Sequence, residues 1–111
     1  MTPPRKAALD PERLFEDLGA AFLAKPGVSS GRMFGSTGLK RHGKVFAMLV
    51  KGELVLKLPN DRVQTLLADG YGSPFDPGHG RLMKEWVTIG VTNHSRWHDL
   101  AQIAYEFVKP S

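Results

Sequence analysis

Between residues 10 and 26, Leu14, Phe15, Leu18, Ala21 and Phe22 recur at helical spacing and predict one apolar face. Asp10 is placed to cap this helix, Pro11 suits its first position, and Glu12 complements the positive end of its dipole. Pro26-Gly27 ends it. From Val28 the pattern turns extended. Val28 to Phe34 leads in, Gly35 and Gly38 bracket a bend or bulge, and Leu39 to Arg41 continues the strand. His42-Gly43 and Lys51-Gly52 are turn signals. The apolar run from Val45 to Val50 reads as a strand covered on both faces. In Glu53 to Leu58, Leu54, Leu56 and Leu58 alternate with Glu53, Val55 and Lys57. These segments predict a three-strand antiparallel meander.

Pro59 closes the third strand, and Asn60 is placed to cap a second helix carrying Val63, Leu66 and Leu67, with Gly70 at its C-terminal stop. Tyr71 to Arg81, rich in glycine and proline, reads as a loop. Trp86 to Val91 is a further strand. Asn93 is the expected cap of a last helix whose apolar stripe is Trp97, Leu100, Ala101, Ala104, Phe107 and Val108. The expected fold class is therefore α+β, a mainly antiparallel sheet with helices at the N-terminus, middle and C-terminus. Residues 1–9 read as a flexible arm and 10–109 as a single domain.

The 111 residues carry a net charge of +4 and no cysteine. Disulfides, thiolate nucleophiles, cysteine zinc sites and iron–sulfur clusters are thereby excluded. No apolar run reaches the ~18 residues that a membrane span requires, and Arg5 and Lys6 are followed by no signal-peptide core. A cytoplasmic location is expected. The basic balance permits association with polyanions.

Three ordered segments are distinctive: Gly31-Arg32-Met33-Phe34-Gly35-Ser36-Thr37-Gly38-Leu39, then Gly43-Lys44-Val45-Phe46-Ala47, then Gly52-Glu53-Leu54-Val55-Leu56-Lys57. Together they resemble the N-terminal domain of the TfoX/Sxy family. Gly80-Arg81-Leu82-Met83-Lys84-Glu85-Trp86-Val87 resembles a segment of the related MmcQ/YjbR-like proteins. The likeness runs over roughly residues 10–108, with Ser36-Thr37 where the family often has a glycine and an aromatic residue. It implies a compact α+β domain of regulatory type, linked to natural competence and working with a transcription activator or on DNA rather than as an enzyme.

The residues themselves offer several candidate sites. Arg32 is placed to grip a phosphate or an acidic partner, or else to pair with a local carboxylate. Lys40, Arg41, His42 and Lys44 surround the first hairpin, with Lys51 at the next turn, and suit either a phosphate backbone or plain solvation. Lys57, Arg81 and Lys84 extend that patch if the fold brings them together. Gly78-His79-Gly80-Arg81 lacks the spacing of a nucleotide loop and suits a partner-binding loop better. His94 and His98 stand four apart, and a metal there needs a third ligand from His79 or Asp76. Trp86 and Trp97 read as core aromatics that meet, although Trp86 near Lys84 also suits stacking on a base. No nucleophile–base pair or paired carboxylates stand out, and neither a catalytic site nor a cofactor is expected. The expected partners are a transcription factor or DNA, without a membrane. A homodimer formed through exposed strand edges, or less favourably a small-ligand or metal-binding domain, is the alternative.

Overall fold

The computed structural model describes residues 10–33, 36–75 and 84–108. The expected N-terminal arm, Phe34-Gly35, Asp76 and the Gly78-His79-Gly80-Arg81 loop lie outside them. The described elements are α1 (Pro11–Leu23), β1 (Val28–Met33), β2 (Ser36–Arg41), β3 (Lys44–Val50), β4 (Glu53–Lys57), α2 (Asn60–Ala68), β5 (Ser73–Pro74), β6 (Trp86–Ile89), a 3-10 segment (Val91–Arg96) and α3 (Trp97–Phe107). The strands form one six-stranded sheet in the order β1-β2-β3-β4-β6-β5, antiparallel at every pairing. The fold is thus α+β with N-terminal, middle and C-terminal helices, as the patterning predicts.

The turn signals act as expected. His42 and Gly43 have φ of 50° and 82°, and Lys51 and Gly52 have φ of 52° and 79°. Positive φ at both central residues gives two-residue hairpins whose twist matches the flanking strands. The Glu12 N–H donates to the Asp10 carboxylate at 3.1 Å, the cap expected of α1. Gly70, at φ 80°, donates to the Leu67 carbonyl while the Tyr71 N–H reaches the Leu66 carbonyl, a Schellman ending for α2.

Other details depart from expectation. Val28 to Arg41 is two strands rather than one bent strand, paired without interruption from Val28↔Arg41 to Met33↔Ser36. The meander therefore has four strands, and Ser73-Pro74 adds a short sixth at the far edge. Asn60 is the first helical residue of α2 and not its cap, because extended Pro59 supplies the carbonyl that accepts from Val63 at 3.1 Å. Asn93 does not cap α3. It lies inside the 3-10 segment at φ −107° and ψ 28°, with its N–H donating to the Gly90 carbonyl. α3 starts only at Trp97, whose indole Nε1 donates to the same carbonyl at 3.3 Å. Ala21 and Phe107 are exposed, and Gly19 and Tyr105 take the buried positions instead.

The core lies on one face of the sheet. Leu39, Ala47, Leu54, Leu56, Val87 and Ile89 cluster there with Phe15, Leu18 and Phe22 of α1, Val63 and Leu66 of α2, and Trp97, Leu100, Ala101, Ala104 and Tyr105 of α3. The register shift between Leu39 and Lys40 accounts for adjacent Phe46 and Ala47 both joining this cluster. A bulge places two consecutive residues of one strand against one of its partner, which breaks the alternation locally. Met48 and Val55 are buried but stand outside the cluster, opposite one another on the other face. No described helix is long and apolar enough to cross a membrane.

Candidate nucleic-acid interface

Antiparallel pairing decides which charges meet. Val28 pairs with Arg41, Arg41 with Lys44, and Lys57 with Trp86, so these residues share one end of the sheet. The ladder continues there as the Leu58 N–H donates to the Glu85 carbonyl at 2.9 Å, which brings exposed Lys84 to the same end. Lys40, Arg41, Lys44, Lys57 and Lys84 are therefore gathered along one rim, from β2 across to the start of β6. Lys51 is separated from them, at the opposite end of β3 and roughly 20 Å away at strand rise. Arg32 stands near the far end of β1, paired with Thr37, and does not join the rim. Arg81 lies outside the described residues.

The five residues have different surroundings. Arg41 is engaged within the fold. Its Nη1 donates to the Tyr105 carbonyl at 2.9 Å, and its guanidinium lies 4.0 Å from the centre of the Tyr105 ring. The Tyr105 carbonyl belongs to the last turn of α3, which carries no basic residue of its own. Arg41 thus supplies from the sheet the cation that a helix C-terminus favours. Its buried Nε has no hydrogen-bond partner among the described residues. Lys40 is half-buried, and its ammonium lies beside Gly31 of β1. Lys57 is half-buried with its Nζ 5.9 Å from the Trp86 ring centre. Lys44 and Lys84 are exposed.

A sixth cation joins them that sequence patterning does not single out. Lys25, just beyond α1, has its Nζ 5.5 Å from the Phe22 ring centre and 5.6 Å from that of Tyr105. Two hydrogen bonds bring it there. The His42 N–H donates to the Gly27 carbonyl at 2.9 Å, clasping the hairpin to the end of α1. The Tyr105 hydroxyl donates to the Pro26 carbonyl at 3.2 Å. Nothing local in Lys25-Pro26-Gly27 signals either partner, because both lie far along the chain.

Among the described residues, Arg13–Asp17 at 3.6 Å is the one ion pair between an arginine or lysine and a carboxylate. None of the described carboxylates pairs with a rim lysine, and the lysines present their charge to an external anion against no described counter-ion. Glu85, exposed beside Lys84, is the one acidic residue among those described in that stretch of the rim.

Trp97 is the core aromatic that the sequence predicts, 2% exposed. Trp86 is not. Val87 and Ile89 take the core face of β6, so strand alternation turns Trp86 and Thr88 to the other face. There Trp86 is half-buried, with the Phe75 ring centre 6.4 Å from its own.

His94 and His98 line one cleft of about 220 Å³ between α1 and α3, with Leu14, Asp17, Leu18 and Trp97. His94 Nδ1 lies 3.0 Å from the Val91 carbonyl and must be the donor, since a carbonyl only accepts. No group of three His, Asp or Glu residues among those described is arranged to hold a metal ion. Two imidazoles alone fall short of a stable zinc site.

No curated protein matches this chain. The family model for the TfoX N-terminal domain matches residues 20–108, which take in every described strand together with α2 and α3. That range is most of the chain, and the chain belongs to the TfoX N-terminal domain family.

Proposed function

We propose that this domain is a non-enzymatic regulatory module of the cytoplasm that works by binding, with nucleic acid as the partner of its basic rim. The observation carrying this reading is the convergence of Lys25, Lys40, Lys44, Lys57 and Lys84 at one end of the sheet, free of ion pairing with described carboxylates. Phosphate backbones bind such a surface by releasing condensed counterions, which needs cations but no base-reading element. A role in transcription, of the competence type that the family resemblance implies, follows from this reading.

Fluorescence anisotropy of labelled DNA at low and moderate salt tests it. Binding that weakens steeply with salt, and that Lys40→Ala/Lys44→Ala/Lys84→Ala loses, is the expected result. Absence of binding even at low salt overturns the reading and directs the search to a protein partner.

A second reading, self-association, is favoured by the unequal sheet edges. β5 is two residues long and contains Pro74, both of which discourage strand addition. β1 is six residues long, contains no proline, and pairs with β2 without a bulge. Light scattering across a concentration series tests this. A dimer that Ser30→Pro abolishes supports pairing through β1, whereas a monomer at every concentration excludes it.

A further inference from the structure

Resting on the nucleic-acid reading, we infer that the sheet face turned away from the core cluster binds single-stranded nucleic acid, with a base stacked on Trp86.

Four side chains carry the inference. Lys57 and Trp86 are register partners on β4 and β6 and therefore project from the same face. That face is the one opposite Leu56 and Val87, both 0% exposed in the core. Lys40 follows core-facing Leu39 and shares this outer face with Gly31, over which it lies. Phe75 flanks Trp86 at an interplanar angle of 49°. Trp86, Phe75, Lys57 and Lys40 are all partly accessible, whereas Met48, Val55 and Thr88, nearer the middle of the same face, are buried. At the basic end of this face, Lys40 and Lys57 on β2 and β4 thus stand beside the neighbouring rings of Trp86 and Phe75.

The chemistry of that combination selects the ligand. A base offers a flat π-face to an aromatic side chain, and the adjoining phosphates offer charge to lysines. In a duplex the bases are stacked on one another, and a side chain reaches a base face only by unstacking a step, which carries an energetic cost. In a single strand the faces are free. A surface that sets an indole beside lysines therefore gains from a single strand, without that cost, what a duplex gives only against it. The alternative role for Trp86, shielding the aliphatic stem of Lys57, predicts no difference between the two.

The test compares a labelled 12-nucleotide oligothymidylate with a duplex of the same length, by anisotropy and by intrinsic fluorescence. Trp97 is 2% exposed, so quenching on binding reports on Trp86. The expected result is tighter binding of the single strand with quenching. Trp86→Leu should weaken single-strand binding by roughly 5- to 150-fold, the range of one stacked base, and leave duplex binding unchanged. Trp86→Phe, which keeps an aromatic face and guards against a folding defect in the leucine variant, should lose less. Equal binding of both forms that neither substitution alters overturns the stacking inference while leaving the basic rim intact. Failure to bind either form overturns the rim reading and this inference with it.

Discussion

Arg41 and Tyr105, 64 residues apart in sequence, meet twice: the guanidinium donates to the Tyr105 carbonyl at 2.9 Å and lies over the Tyr105 ring at 4.0 Å. The hydrogen bond satisfies a carbonyl in the last turn of α3, and the stacking packs the hairpin against that helix. Arg41→Ala removes both and should destabilise the domain by about 1–3 kcal/mol, from the charged hydrogen bond and the cation–π interaction. Arg41→Lys should recover little of it, because a lysine has no planar group to stack and donate together. Urea midpoints of the two variants check this. An unchanged midpoint for Arg41→Ala would show that Arg41 is dispensable to the fold.

The rim lysines should behave in the opposite way. Lys44 and Lys84 are exposed, and their replacement by Ala should shift stability by no more than about 0.5 kcal/mol. Each lysine that grips a phosphate should, once replaced, lower the slope of log affinity against log salt by roughly 0.7 to 0.9. Salt titrations of the single and double variants, set beside Arg41→Ala, separate the groups that bind from the group that holds the hairpin. A salt slope that none of these lysine changes alters would remove the rim from any binding role.

The two tryptophans should also divide. Trp97 is buried and donates to the Gly90 carbonyl, so Trp97→Phe leaves a gap and removes one of the two hydrogen bonds to that carbonyl, which keeps the Asn93 N–H. A loss of about 1–3 kcal/mol is expected. Trp86→Leu, on the half-open face, should cost less than about 1 kcal/mol. Thermal unfolding measures both, and acrylamide should quench Trp86 strongly and Trp97 weakly. Equal losses would mean that Trp86 contributes to the core after all.

Much of the fold is legible locally because its signals are local. Asp10-Pro11 starts α1, the His42-Gly43 and Lys51-Gly52 turns set two hairpins, and Leu54, Leu56 and Leu58 mark the buried side of β4. The site is less legible because it depends on parity and distance. A single-residue change of phase decides whether Trp86 or Val87 enters the core. Arg41 looks like another basic hairpin residue until Tyr105 is placed beside it. Lys25 reaches the rim through the clasp between His42 and Gly27, which no short motif announces. Asn93 looks like a cap by residue type, yet the Gly90 carbonyl organises a 3-10 turn ahead of α3 and displaces the helix start.

The register shift beside Lys40 has its own consequence. It lets Phe46, 0% exposed, reach the rings of Phe22 and Tyr105 at centroid separations of 5.8 and 5.7 Å. α1, β3 and α3 thus meet at one side chain. Phe46→Ala removes the shared ring and should cost about 3–5 kcal/mol, a large part of the roughly 5–15 kcal/mol that holds a domain of this size. Phe46→Leu retains most of the volume and should cost less. Ala47→Gly removes only a buried methyl group beside Phe46 and should cost about 1 kcal/mol; a Phe46→Ala loss no larger than that would show that the ring does not join the three elements. Urea unfolding of the three variants decides this, with the midpoint of Phe46→Ala expected to fall well below those of both others.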